Sequence, residues 1–183
     1  LLLLEFQFQR VLGDPDFGIP YWNWAADGDL PISEQDDQPV WRADCMGGNG
    51  RGASNFVGTG PFREGRFSVR IEFDRDGTLT AADRPLRRNF GMRRPAADGG
   101  PFGLPTSVET QAAVDEPTFD RAPWDSNMGL STHRNMLEGW AIVAGRFPPN
   151  AHNLVHVWVG GDMLPGTSPN DPVFYLNHCN VDR

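Results

Sequence analysis

Apolar positions at helical spacing occur in short stretches of this chain, and glycine- or proline-rich intervals separate them. Residues 1–12 (LLLLEFQFQRVL) have helical composition and meet a stop at Gly13. Thr106-Ser107-Val108-Glu109 has the spacing of a capping box, in which side chain and backbone satisfy each other's free donors, so a helix is predicted over 107–114. Ser131 or Thr132 opens a further helix, predicted to run to about Gly145. Asn150 is the expected N-cap of AHNLVHVWV, which Gly160-Gly161 closes. Asp171-Pro172 supplies a cap and a first-turn proline for the final segment, VFYLNHCNVDR.

A period of two appears in FSVRIEF, residues 67–73, and predicts a short strand ending at Asp76-Gly77. Residues 84–90 read as a short helix stopped by Gly91, and 94–105 as a Gly/Pro loop. Residues 119–129 form a connection. Between Leu30 and Gly65 no period is sustained. Trp41, Cys45, Phe56 and Phe62 can pin that excursion to the body, and its length implies short elements within it. Tyr21, Trp22 and Trp24 lie too close together for a surface loop and are expected to wall the core. No internal repeat is present. The fold class is mainly α: helices joined by long ordered loops, with little strand.

The 183 residues amount to one domain, 1–183, with enough chain for a sizeable core. A net charge of -8 argues against a nucleic-acid partner, which needs a basic face. Arg84, Arg87, Arg88, Arg93 and Arg94 do cluster, but among acidic residues, and are expected on a solvated surface. No apolar run approaches membrane-spanning length, since Glu5 follows Leu1–Leu4. Two cysteines, Cys45 and Cys179, allow one disulfide. Leu1 falls inside an apolar run and Arg183 inside a predicted helix, so the expectation is a fragment of a longer chain. Its compartment is left open.

Three of the four histidines fall in the last 32 residues. His152 and His156, four apart, share one helix face. His178 lies on the next helix. Three imidazoles in apolar surroundings (Leu154, Val155, Trp158, Phe174, Leu176) need partners, and converging from two facing helices they would make a metal pocket. The competing reading is three structural histidines, each hydrogen-bonded in a helical core. No HExxH is present, so no glutamate stands in a zinc protease's catalytic place. All-imidazole ligation suits copper, zinc, iron or nickel, and composition does not choose between copper and three-histidine zinc. Asp182, four residues after His178, can orient a ligand ring or pair with an arginine. His133 is assigned a surface or capping role and Cys179 a packing role.

His152-Asn-Leu-Val-His156-Val-Trp-Val-Gly-Gly161, followed by Ser168-Pro-Asn-Asp-Pro-Val-Phe-Tyr-Leu-Asn-His178-Cys-Asn-Val-Asp-Arg183, resembles the second copper site of bacterial tyrosinases. Leu2–Phe6, Ile19–Trp24 and Arg134–Gly139 also match, so the resemblance covers essentially the whole chain. It implies a four-helix core around two coppers, each held by three histidines. The pair binds O2 and oxidises o-diphenols to o-quinones; true tyrosinases first hydroxylate monophenols. Two metals suit this because each Cu(I) gives one of the two electrons that O2 takes. The match makes His152, His156 and His178 the ligands of one copper. It pairs Glu138 with Asn153 to hold a water that helps deprotonate a phenol, and places Phe174 near the substrate entrance. Partners are then O2 and a small phenol or aminophenol; a copper-delivery partner is compatible with this class and has no signature in these residues.

Three departures qualify the match. Four histidines cannot build two three-histidine sites, so the first copper's ligands are expected upstream of Leu1, and this chain alone is expected to bind at most one copper and to be inactive. Asn177 stands where tyrosinases usually carry a further, non-ligand histidine; relatives that oxidise o-aminophenols carry Asn there, which implies preference for o-aminophenols or o-diphenols over monophenols. The interval from Glu138 to His152 is longer than in bacterial tyrosinases, which weakens the Glu138–Asn153 pairing. Alternatives are an o-aminophenol oxidase, a catechol oxidase without monophenolase activity and, from another class, a hemocyanin-like O2 carrier.

Overall fold

A computed structural model describes residues 1–91, 102–127 and 129–183. Helices predominate and strands are few, as the patterning predicts. Helix α1 spans Leu2–Leu12 and ends at Gly13, whose φ of 68° is the left-handed conformation glycine adopts without strain. None of its residues is buried. A short α2, Trp24–Gly28, follows. The 30–65 excursion does hold short elements: 3-10 turns at Ile32–Asp37 and Pro39–Trp41, and a two-residue ribbon of β1, Gly50–Arg51, with β2, Phe56–Val57. The predicted strand is β3, Val69–Phe73, paired antiparallel with an unanticipated β4, Leu79–Arg84, across the Asp76-Gly77 turn.

Helix α3 occupies Ser107–Val114, and its capping box is complete: the Thr106 hydroxyl accepts from Glu109 N at 3.3 Å, and Glu109 Oε2 accepts from Thr106 N at 2.7 Å. Helix α4 is much shorter than expected, His133–Leu137. The chain turns at Gly139 (φ 85°), where an added Cβ would lie 1.9 Å from the Asn150 carbonyl oxygen. That backbone contact, invisible to helical periodicity, ends the helix. Helix α5 is Ala151–Val159 and α6 is Val173–Asp182. Asn150 precedes α5 as predicted but does not cap it with its side chain. Its Nδ2 instead donates to the Ala141 and Arg146 carbonyls at 2.7 and 3.0 Å, pinning the preceding loop. Pro172 is the N-cap of α6, and Asp171 just before it accepts from Val173 N at 3.1 Å.

The core lies between α5, α6 and the aromatic residues of the early chain. Trp158 stacks on Phe90 at 4.7 Å between ring centroids, Phe90 meets Trp41 at 4.5 Å, and Trp41 packs edge-on against Trp22 at 4.8 Å. Trp22 and Trp24 are buried, as expected of core walls. Tyr21 is not: it is 49 % exposed, with Arg183 over its ring. In extended chain, neighbouring side chains point to opposite sides, so Tyr21 faces outward while Trp22 faces in. Both cysteines are free thiols. Among the described residues no helix is long and apolar enough to cross a membrane.

The 84–90 segment is not a helix. Beyond β4 the chain runs extended as a strap that pairs with β2 and with the end of α5. Val57 N donates to Leu86 O, and Arg88 N to Asn55 O. Asn89 N and Gly91 N donate to Val159 O and Trp158 O, carbonyls that a helix end leaves without partners. Nor are its arginines all solvated. Arg88 is wholly buried and ion-paired with the equally buried Asp171, and Arg84 pairs with Asp162. Arg93, Arg94 and part of the predicted 94–105 loop lie outside the described residues.

Candidate metal centre

Helices α5 and α6 pack together and bring the three predicted ligands to one point. His152 and His156 sit one turn apart on α5; His178 reaches across from α6. His152 Nε2 lies 2.9 Å from His156 Nε2 and 3.2 Å from His178 Nε2. All three ligating nitrogens fall within 4.8 Å of one another. Tetrahedral metal–imidazole bonds of about 2.0–2.1 Å put donor nitrogens roughly 3.4 Å apart, so a small adjustment of the rings accommodates an ion.

The outer nitrogens explain why an ion belongs there. His156 Nδ1 is 2.8 Å from the Met163 carbonyl oxygen. A carbonyl only accepts, so His156 carries its proton on Nδ1 and its Nε2 is a bare lone pair. His152 Nδ1 donates likewise to Glu138 Oε2 at 3.0 Å, leaving its Nε2 bare. Two bare nitrogens thus face each other at 2.9 Å. His178 can donate to His152 but leaves His156 unrelieved. A proton on His156 is disfavoured, because burial lowers its affinity for one. Burial first, then His152 and His156, holds His178 at about 4. The donor set therefore fits a cation bound between neutral imidazoles, and fits poorly as three self-sufficient structural histidines.

The surrounding residues divide. Glu138, the C-cap of α4, is brought to the site, where its carboxylate engages His152. Asn153 joins the same corner: its backbone N–H donates to the Glu138 carbonyl at 3.3 Å, and it lines a cavity of about 610 Å³ with His156, Leu164 and Pro165. Phe174 covers His178, with ring centroids 3.9 Å apart. Asn177 is adjacent to His178 in sequence but wholly buried, turned about 100° from it around α6. Asp182 is exposed and, among the described residues, is hydrogen-bonded to none of the three rings. His133 lies apart, stacked on Phe119 with Nδ1 donating to Ala113 O at 2.8 Å, as a non-ligand at a helix start. Cys179 stays outside the cluster, its thiol pushed up by burial.

Two parts of the site have no counterpart in the sequence reading. The Met163 carbonyl is a backbone group, which residue identity does not single out. Asp162, next to it, follows the helix-stopping glycines without any motif; its bidentate partner Arg84 is 78 residues away.

Known proteins bear on this geometry. The family model for the common central domain of tyrosinase matches residues 1–183. A tyrosinase of Streptomyces lincolnensis is 39 % identical over 181 residues, which cover 99 % of this chain and 57 % of that protein. A grixazone synthase of Streptomyces griseus is 38 % identical over 200 residues, covering all of this chain and 60 % of its own length. A 5,6-dihydroxyindole-2-carboxylic acid oxidase of Carassius auratus is 32 % identical over 193 residues, 35 % of its length. The chain thus spans little more than half the length of its bacterial relatives. With three histidines gathered to hold one copper ion, and with the match running from end to end, the chain belongs to the tyrosinase family.

Proposed function

We propose that this chain supplies one copper's ligands, His152, His156 and His178, to a dinuclear type-3 copper oxidase. The whole protein uses O2 to oxidise o-diphenols and o-aminophenols, in preference to hydroxylating monophenols. The observation that carries the metal assignment is the facing of two bare imidazole nitrogens at 2.9 Å, each with its outer nitrogen engaged by an acceptor. The second copper's ligands lie outside residues 1–183, since one histidine, His133, remains and is engaged elsewhere.

Copper, when bound, supplies the one-electron steps that couple phenol oxidation to reduction of O2. The chain's own residues supply the rest. Glu138 orients His152 through one carboxylate oxygen, and its side chain keeps enough exposure (35 %) for the other oxygen to take up a proton from a phenol or a water. Asn153 lines the cavity beside His156, and with Glu138 it would hold a water that helps deprotonate a phenol. Phe174 closes the other side of His178 with an aromatic face against which a substrate ring can pack. The substrate preference rests on Asn177. A histidine there would be a larger, titratable neighbour of a ligand; the amide is smaller and uncharged.

The test is a substrate panel on the full-length, copper-loaded protein: tyrosine, catechol and o-aminophenol, with oxygen uptake measured. Turnover of catechol and o-aminophenol well above that of tyrosine is expected. Equal rates on tyrosine and catechol would overturn the preference. Reversible oxygenation without turnover of any of the three would make the protein a carrier instead.

A further inference from the structure

We infer that Arg84 and Arg88 are positioning residues for the metal centre, acting through the two ends of the connection between α5 and α6. The inference rests on the metal reading above. One end of the connection holds the outer partner of His156, the Met163 carbonyl. The residue before it, Asp162, is gripped by the Arg84 guanidinium, with Nη1 on Oδ2 at 2.9 Å and Nη2 on Oδ1 at 2.7 Å. Arg87 N adds a third bond to Oδ2 at 2.7 Å, and Asp162 N returns one to Arg87 O at 3.0 Å. Gly161 lies so close beneath the strap that an added Cβ would sit 2.2 Å from Arg87 O. The segment that carries the His156 acceptor is therefore held by Arg84 and Arg87, more than 70 positions earlier, as well as by the Met163 N bond to the Gly160 carbonyl at the end of α5.

At the other end, Asp171 accepts from the backbone N–H of Val173, the first residue of α6, and so ties down the start of the helix that carries His178. Arg88 grips Asp171 with Nε on Oδ2 and Nη2 on Oδ1, both at 2.7 Å. Its Nη1 donates to the Met46 and Gly47 carbonyls at 2.9 and 2.7 Å. Neither side chain of this pair has any exposure. A buried pair is weak evidence for stability, because desolvation opposes the attraction. What a planar fork on a carboxylate does supply is a defined orientation. Arg84 and Arg88 are one helical turn's worth of residues apart on an extended strap. Together they fix, for His156, which nitrogen carries the proton, and for His178, the start of its helix.

Lysine replacements keep the charge and remove the fork. In the natural full-length protein, freed of copper and titrated with Co(II), Arg84→Lys and Arg88→Lys should each weaken one binding step by about tenfold and alter the visible Co(II) bands. In the metal-free protein, nitrogen NMR of the imidazoles should show His156 fixed as its Nδ1–H form in the wild type and exchanging between forms in Arg84→Lys. The exposed pair Arg70–Asp83 provides the control: Arg70→Lys should change none of these. Arg84 keeps some solvent contact (18 % of its side chain), so Arg84→Lys decides the question even where Arg88→Lys does not fold. A folded Arg84→Lys protein with wild-type Co(II) affinity and a fixed His156 tautomer would overturn the inference. Failure of the wild type itself to bind Co(II) would instead overturn the metal reading.

Discussion

His152 and His156 point their Nε2 atoms at each other across 2.9 Å while Glu138 and Met163 hold their outer nitrogens. The arrangement makes the pair one ligating unit, set by its surroundings before any ion arrives. Its consequences can be measured.

The polypeptide of residues 1–183 should take up no more than one copper ion per chain and should not turn over catechol. One three-histidine group is present among the described residues, and the dinuclear reading proposed above needs two ions. Atomic absorption with an oxygen electrode checks this; two coppers per chain with turnover would contradict it. His178→Ala should abolish tight binding, because two nitrogens from one helix leave the ion's other positions to water.

Glu138→Gln keeps an oxygen that can accept from His152 Nδ1 but removes its charge. The neighbouring imidazole becomes a poorer donor to the metal, and affinity should fall about tenfold. Competition with a chelator of known affinity measures the change. An unchanged affinity would show that Glu138 merely sits beside the ring.

Acid should destabilise the metal-free protein in a defined window. His178 is held at about 4, mainly by burial, whereas in the unfolded chain it titrates at about 6.5. Between these values the unfolded state binds more protons than the folded state, so stability rises with pH. The contribution is complete above the unfolded value and is lost as pH falls from about 6.5 toward 4. His156, also lowered by burial, acts in the same direction. Urea midpoints at pH 5 and pH 7 should therefore differ more in the wild type than in His178→Asn; equal differences would refute the assignment.

Gly139→Ala should destabilise by roughly 2–5 kcal/mol, combining a left-handed backbone with overpacking. The added methyl meets the Asn150 carbonyl, which begins the helix of His152 and His156. Thermal unfolding measures the loss. Metal affinity should fall too, because relief of the clash moves Glu138 away from His152.

Features settled within a turn or two of helix can be read from the residues. The Thr106–Glu109 box closes on itself, Gly13 and Gly160 end their helices, and the four-residue step from His152 to His156 puts both on one face. The candidate metal ligands were legible for the same reason, a histidine pair on one well-delimited helix and a third on the next; copper itself came from the resemblance to the tyrosinase family. Contacts across the fold decided where α4 stops and what holds α5 and α6. Residues 84–91 carry helix-compatible side chains, yet their backbone groups are taken by β2 and by the open carbonyls of α5, so the segment is extended. Arg88 belongs to a surface-like charge cluster in sequence, yet Asp171, 83 residues on, takes it out of water. The chain turns out of α4 at Gly139, just past its C-cap, where the Asn150 carbonyl lies against it, and His156 takes its proton orientation from a backbone oxygen. Local propensities act over a few residues and leave such choices nearly balanced. Contacts between segments distant in sequence, which bury charge and satisfy backbone groups, then settle them.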